Sequence, residues 1–254
     1  MQDRGALYGD GLFETILVRE NRAPLLPLHL ARLKTSAAAL AIPYDAERVT
    51  QAIAAHLAAL PPGEHALRLT LSRGEAVTRG YAYTGQEQPT LYLTSTPYRR
   101  PFSPHGNAAP LRAITATNRV YSGSPLTRHK SLSALEKVIA RTEAARAGVD
   151  EAILLNEAGR PVEGTSHNLF IHVHGEWMTP PVTEGCLPGV MRSQLLRLLG
   201  AREIPLTREA VRSAERVLLS NALLGALPLI EWDGEKLKGE GPMPLPFESL
   251  WTLP

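Results

Sequence analysis

The run Thr127-Arg128-His129-Lys130-Ser131-Leu132-Ser133-Ala134-Leu135-Glu136 places a lysine just ahead of a helix in a chain with few lysines. Five of the 27 basic residues are lysine (Lys34, Lys130, Lys137, Lys236 and Lys238), which leaves 22 arginines. Lysine can lose its proton and attack a carbonyl, whereas arginine stays charged. Lys34 belongs to an amphipathic helix, and Lys137 lies mid-helix beside Glu136 and Arg141. Lys236 and Lys238 stand among the Asp, Glu and Gly residues of a surface turn. Lys130 alone sits at a loop-to-helix junction, behind a glycine- and serine-rich approach, and is the lysine favoured for covalent chemistry. Beyond it, Leu132, Leu135, Val138 (or Ile139) and Thr142 are spaced as the apolar stripe of a helix that Gly148 ends.

On the N-terminal side, Tyr8-Gly9-Asp10-Gly11 reads either as a turn feeding the strand Leu12–Val18 or as backbone held close to a ligand. A hairpin turn at 19–22 leads to a short return strand, Pro24-Leu25-Leu26, and Pro27 suits the first turn of a helix that runs to about Leu40. Its apolar stripe is Leu30, Leu33, Ala37 and Leu40, while His29, Arg32 and Ser36 share another face. Arg32 is either a solvated surface arginine or a planar fork for a phosphate. A second helix, 46–60, and strands at 66–72 and 90–96 follow. The segment Pro97 to Pro110 holds four prolines and little periodicity, as a linker does. The expected layout is a small α/β domain over 1–104, a linker at 105–111 and a larger domain over 112–254.

In the second domain, strands are expected at 113–115, 152–155, 160–163, 169–173, 176–179 and 217–219, with one helical turn at 213–216. Glu163 closes the third of these strands, ahead of Gly164-Thr165-Ser166-His167-Asn168. A carboxylate there either caps the turn or holds a proton on the ring nitrogen of an electron-withdrawing cofactor. Gly189-Val190-Met191 opens a helix, whose first-turn amides have no partner within the helix and can cradle a phosphate. His172 and His174 share one side of a strand without a third ligand nearby, so no metal site is expected.

Composition narrows the classes. With 44% hydrophobic and 20% charged residues over 254 positions, the chain is expected to be a soluble globular protein. A net charge of +2, with the basic residues dispersed, argues against nucleic-acid binding. No apolar run reaches membrane-spanning length, and the N-terminus lacks a signal-peptide pattern. The single cysteine, Cys186, cannot form a disulfide within the chain, so a reducing, cytoplasmic setting is expected.

Taken together and in this order, these motifs resemble the fold-type IV pyridoxal-phosphate enzymes, the group of branched-chain and D-amino acid aminotransferases and 4-amino-4-deoxychorismate lyase. The likeness runs from Asp3-Arg4 to Pro228. It implies an α/β (α+β) fold of two domains, the larger with a β-barrel-like core flanked by helices, assembled as a homodimer. It also implies that Lys130 forms a Schiff base with pyridoxal 5'-phosphate and that Glu163 pairs with the pyridine nitrogen. Arg32 and the amides of Val190 and Met191 match the phosphate site.

Within the group, Ser72-Arg73-Gly74 with Arg79-Gly80-Tyr81, and Ser220 to Pro228, are similar to the lyase. In the aminotransferases the latter stretch carries a threonine whose hydroxyl holds the phosphate, and its counterpart here is Ala222. The lyase reading implies conversion of 4-amino-4-deoxychorismate to 4-aminobenzoate and pyruvate, a step toward folate; the alternative is a branched-chain or D-amino acid aminotransferase. The candidates for holding the substrate are Arg73, Arg79, Tyr81, Arg119, Tyr121, His167 and Asn168.

Overall fold

The computed structural model describes residues 2–99, 109–239 and 247–252. Most of the expected linker, 105–108, lies outside them. The chain divides into two compact units: one of residues 2–99, 129–134 and 251–252, the other of residues 109–128, 135–239 and 247–250. Lys130 belongs to the first unit although it follows the proline-rich segment in sequence. The Phe13 amide donates to the Lys130 carbonyl at 2.8 Å and the Leu132 amide to that of Gly11 at 2.9 Å, so 129–134 lie along the first strand.

The first unit opens with the short helix α1 (Arg4–Tyr8), which the sequence reading missed. The Asp3 carboxylate caps it by accepting the Gly5 amide, and Gly9 ends it at φ +68°, a left-handed conformation that glycine adopts without strain. Strand β1 (Gly11–Arg19), helices α2 (Leu26–Ala39) and α3 (Ala46–Ala58), and strands β2 (Glu64–Ser72) and β3 (Thr90–Pro97) follow. The strands form an antiparallel sheet in the order β1-β2-β3, and Gly11 pairs with Ser72. Alternation sends Leu12, Ile16, Val18, Leu67, Leu69 and Leu71 into a core with Leu33, Ala37, Val49 and Ile53 of the two helices. The expected return strand at Pro24–Leu26 is absent. After the left-handed turn at Glu20 and Asn21, the chain enters α2 directly, with proline in its first turn.

The second unit contains β4 (Leu111–Val120), α4 (Leu135–Arg146), β5 (Glu151–Asn156), β6 (Pro161–Gly164), β7 (Asn168–Val173) and β8 (Glu176–Thr179). Helix α5 (Val190–Leu199), strand β9 (Arg202–Glu203), helix α6 (Arg208–Ser213) and strands β10 (Arg216–Asn221), β11 (Gly225–Trp232) and β12 (Glu235–Lys236) complete it. Strand β10 pairs with β11 on one side and β7 on the other, so β10-β11-β4-β5-β6-β7 close into a barrel, with β8 and β9 extending from β7 and β12 from β11. Closure leaves no free edge in the ring. Ile153, Leu155, Leu169, Ile171, Val217, Leu219, Leu229 and Trp232 form one core cluster. The helical turn expected at 213–216 lies earlier, as α6, where Thr207 caps the first turn by accepting the Ala210 amide.

The apolar stripe expected on α4 is the wrong face. Leu135, Val138 and Ile139 are exposed, and Leu132 lies in the first unit. The buried face is Ala140 and Ala144, packed with Ala116, Val120, Ala152, Leu154 and Val162. Small residues let the helix sit close on β4 and β5, and periodicity alone ranks large side chains above alanine. Ala140→Leu is therefore expected to cost about 1–3 kcal/mol in urea unfolding through overpacking, and Val138→Ala no more than about 0.5 kcal/mol. A comparable loss from Val138→Ala would mean that the outer face of α4 is covered in solution.

Candidate active site

In the first unit, β1 turns Leu12, Glu14, Ile16 and Val18 to one side, so a carboxylate lies in an apolar row. Helix α2 lays His29 and Arg32 over it. His29 Nδ1 is 2.6 Å from Glu14 Oε2, while Arg32 donates from Nε to Oε1 at 2.9 Å and from Nη2 to Oε2 at 2.5 Å. Burial alone would raise the Glu14 pKa, but the Arg32 charge and the hydrogen bonds from His29 and Arg32 outweigh it and hold it at about 2. Burial lowers the His29 pKa against the pull of Glu14, and the charges of Arg32 and Lys130 add to the lowering. The imidazole is thus neutral and donates Nδ1–H to a carboxylate whose charge is matched by Arg32. This pairing fixes the plane of the guanidinium. Lys130 Nζ lies 4.4 Å from the centre of the Phe13 ring on β1, and His129 Nδ1 lies 3.1 Å from Ser36 Oγ on α2.

One of the proposed substrate contacts in this unit, Arg73, is engaged elsewhere. Arg73 is buried and donates from Nε to Asp10 Oδ2 at 2.8 Å, from Nη1 to the Ala41 carbonyl at 2.7 Å and from Nη2 to that of Leu40 at 2.8 Å. Arg4 Nε reaches the same Asp10 oxygen at 2.8 Å, and its other nitrogens donate to the carbonyls of Gly80, Tyr81 and Ala82. Tyr8-Gly9-Asp10-Gly11 is therefore part of a knot that ties the loop 80–82 and the end of α2 to β2. Tyr81 gives its carbonyl to this knot while its ring is exposed, and Arg79 is exposed on the same loop.

In the second unit, Glu163 stands next to last in β6 with its carboxylate buried. Oε2 accepts the Leu187 amide at 3.0 Å and lies 3.4 Å from Asn168 Nδ2, which also donates to the Leu187 carbonyl at 2.9 Å. Oε1 accepts Lys137 Nζ at 2.8 Å. Asn168 and Leu187 join Glu163 to the start of α5. There Gly189 supplies no side-chain cap, and a Cβ at this position would collide with Asn168 Oδ1. The amides of Val190 and Met191 therefore open a helix without a side chain to cover them.

The turn after Glu163 is ordered by Glu151, a residue absent from the sequence candidates. Oε1 of Glu151 accepts the amides of Ala152 and Thr165 and the Thr165 hydroxyl. Oε2 accepts Ser166 Oγ at 3.2 Å and faces His167 Nδ1 at 2.5 Å. Burial raises the Glu151 pKa, but the bonds from His167 and Thr165 outweigh it and lower it to about 2. His167 is thus committed through Nδ1, and its Nε2 is buried without a partner. Arg119 and Tyr121 are exposed. Between β10 and β11, Asn221 Oδ1 accepts the amides of Leu223 and Leu224, forming a turn that carries Ala222 without a hydroxyl. Among the described residues, no cluster of three or more His, Cys, Asp or Glu is arranged to hold a metal, and His172 instead pairs with Glu215 at 2.8 Å.

The sequence profile of amino-transferase class IV matches residues 11–232. This chain belongs to that family. The class IV chain is 32% identical to a Methanocaldococcus jannaschii protein assigned provisionally as a branched-chain-amino-acid aminotransferase, over 94% of this chain and 84% of that one. The structure of 4-amino-4-deoxychorismate lyase from Pseudomonas aeruginosa matches with a TM-score of 0.86 and 33% identity, over 95% of this chain and 89% of the other. A hypothetical aminotransferase from Mycobacterium tuberculosis in its PLP-bound form matches with a TM-score of 0.80 and 25% identity, over 94% and 87% of the two chains.

In this class IV chain, Glu14 and Glu151 each carry a sequence signal: Glu14 stands in the otherwise apolar row Leu12, Ile16 and Val18 of β1, and Glu151 opens the apolar strand β5. The lone thiol, Cys186, is buried, and its pKa is pushed up to about 12 by burial and by the charge of Glu163, so it is inert. Because the folded pKa values of Glu14 and Glu151 lie below the usual 4.5, each contributes stability that is complete above about pH 4.5 and is lost as pH falls toward 2. Glu151→Gln is expected to cost on the order of 3 kcal/mol at pH 7, with the difference from wild type vanishing toward pH 2 in thermal unfolding. A pH-independent difference would contradict the ionised, pinned carboxylate.

Proposed function

We propose that this protein uses pyridoxal 5'-phosphate to convert 4-amino-4-deoxychorismate into 4-aminobenzoate and pyruvate. The donor set suits that cofactor. A planar Arg32 and the uncapped start of α5 match a phosphate, and the buried carboxylate of Glu163 matches a protonated ring nitrogen. The Mycobacterium tuberculosis structure, in its PLP-bound form, supports the same cofactor here. The observation that carries the choice of lyase is the turn held by Asn221, which presents Ala222 where an aminotransferase would offer a threonine hydroxyl. The likeness to the Pseudomonas aeruginosa lyase points the same way.

When bound, the cofactor supplies an electrophilic carbonyl and an electron-withdrawing ring. Lys130 is the residue that would hold it covalently, and its free amine would take the proton from the amine-bearing carbon of the substrate. Loss of that proton allows the ring–oxygen bond to break. Pyruvate leaves as its enol and takes up a proton, and the six-membered ring becomes aromatic. No electrons are exchanged with a second substrate, so no 2-oxo acid is consumed. Glu163 would hold the proton on the ring nitrogen, and Leu187 and Asn168 hold Glu163. The proton transfer assigned to Lys130 is general acid–base catalysis, which contributes about 100- to 10,000-fold.

For the two substrate carboxylates, Arg79, Tyr81, Arg119 and Tyr121 keep exposed side chains, whereas Arg73 and His167 are spent on Asp10 and Glu151. A homodimer follows from the family resemblance. A cytoplasmic setting suits the single buried thiol. No helix among the described residues is long and apolar enough to cross a membrane.

The second reading, an aminotransferase, is favoured by the identity to the Methanocaldococcus jannaschii protein. Absorbance of the loaded protein mixed separately with L-leucine, D-alanine and aminodeoxychorismate separates the two. The lyase reading expects 4-aminobenzoate from aminodeoxychorismate with the cofactor spectrum restored after turnover. Rapid conversion of the cofactor to its amine form by an amino acid, at a rate matching turnover with a 2-oxo acid, would overturn it.

A further inference from the structure

Glu163 carries a second partner that the proposed chemistry does not use. Its Oε2 is held by the Leu187 amide and the Asn168 carboxamide, both fixed by the chain around the start of α5. Its Oε1 is held by Lys137 Nζ at 2.8 Å, an ion pair in which the lysine side chain is 37% exposed and the carboxylate 5%. Lys137 stands one turn before Ala140 and two before Ala144, on the face of α4 that packs against the barrel, so its stem is directed toward β6. One oxygen is thus bound by rigid donors and the other by the tip of a long, flexible chain with access to water.

A protonated pyridine nitrogen is also a cationic N–H donor, and Oε1 is the oxygen whose present partner can move away. A buried carboxylate without a cation or donors is costly. With Lys137 on Oε1, the carboxylate is paired and aimed. We propose that Lys137 is a positioning residue: it occupies Glu163 Oε1 in the cofactor-free protein and yields that oxygen to the cofactor's ring N–H. This rests on the reading of Glu163 as the ring-nitrogen partner. The lysine is a competitor for the site it keeps in order, so part of the attraction between Glu163 and the ring is spent on displacing it. That attraction is absent for an analogue with carbon in place of the ring nitrogen.

The test is equilibrium binding of pyridoxal phosphate and of 1-deazapyridoxal phosphate to the cofactor-free full chain. Both ligands carry the same phosphate and aldehyde, so their affinity ratio isolates the ring nitrogen. In Lys137→Met the preference for pyridoxal phosphate is expected to rise roughly two- to fivefold over wild type, the upper part of the range for releasing a half-exposed ion pair. Lys137→Gln serves equally if the methionine variant folds poorly. An unchanged or smaller ratio in the folded variant would overturn the proposal. Glu163→Gln separates the underlying reading, because it should collapse the preference in a wild-type background. If that preference survives Glu163→Gln, the assignment of Glu163 to the ring nitrogen fails. If it collapses while Lys137→Met leaves the ratio unchanged, only the role of Lys137 fails.

Discussion

A carboxylate held inside a protein must be met by donors that arrive from fixed directions, and much of this structure follows from meeting that demand at three glutamates. Glu14 is met by an arginine and a neutral histidine from the helix above its strand. Glu151 is met by three successive residues of one turn, 165–167, together with the amide of Ala152. Glu163 is met by an amide, a carboxamide and a lysine from three different segments. Each carboxylate fixes the geometry of a neighbour that the proposed chemistry would use: Arg32 in the first case, the turn after Glu163 in the second, the start of α5 in the third. Removing one partner leaves a buried charge uncompensated, which costs far more than an exposed ion pair is worth.

For Glu151 and Glu163 the barrel supplies the rigidity on which this depends. Strand β10 pairs on both sides, and the register that sets Ser220 opposite Asn168 also brings the Asn221 turn to the start of β7. Gly164 and Gly189 are glycines for reasons of space. A Cβ at Gly164 would come within 2.9 Å of the Glu151 carboxyl carbon, and one at Gly189 would displace Asn168. Local sequence and global closure therefore select the same residues, as expected of a chain with one well-defined fold.

Most strands were legible from alternation or from unbroken apolar runs, and α2, α3 and α5 from proline, glycine and periodicity. Helix α4 was misread because its buried face is alanine, so the large apolar residues mark its outer side. Helix α1 is too short for periodicity to show. Of the candidate site, Glu163 and the Gly189 helix start are joined through Asn168 and Leu187, in a way that spacing could not show. Arg73 was legible as an arginine in a motif but not as the centre of a structural knot, since its partners at Leu40 and Ala41 are backbone carbonyls far away in sequence. Glu14 and Glu151 were the accessible misses, because a charged residue among inward-facing positions requires a partner.

The central claim is that Lys130, not its neighbour on α4, carries the cofactor. Borohydride reduction of the protein loaded with pyridoxal phosphate, followed by mass-spectrometric peptide mapping, tests it directly. The account predicts the reduced pyridoxyl group on Lys130 with Lys137 unmodified. The group on Lys137, with Lys130 unmodified, would contradict it.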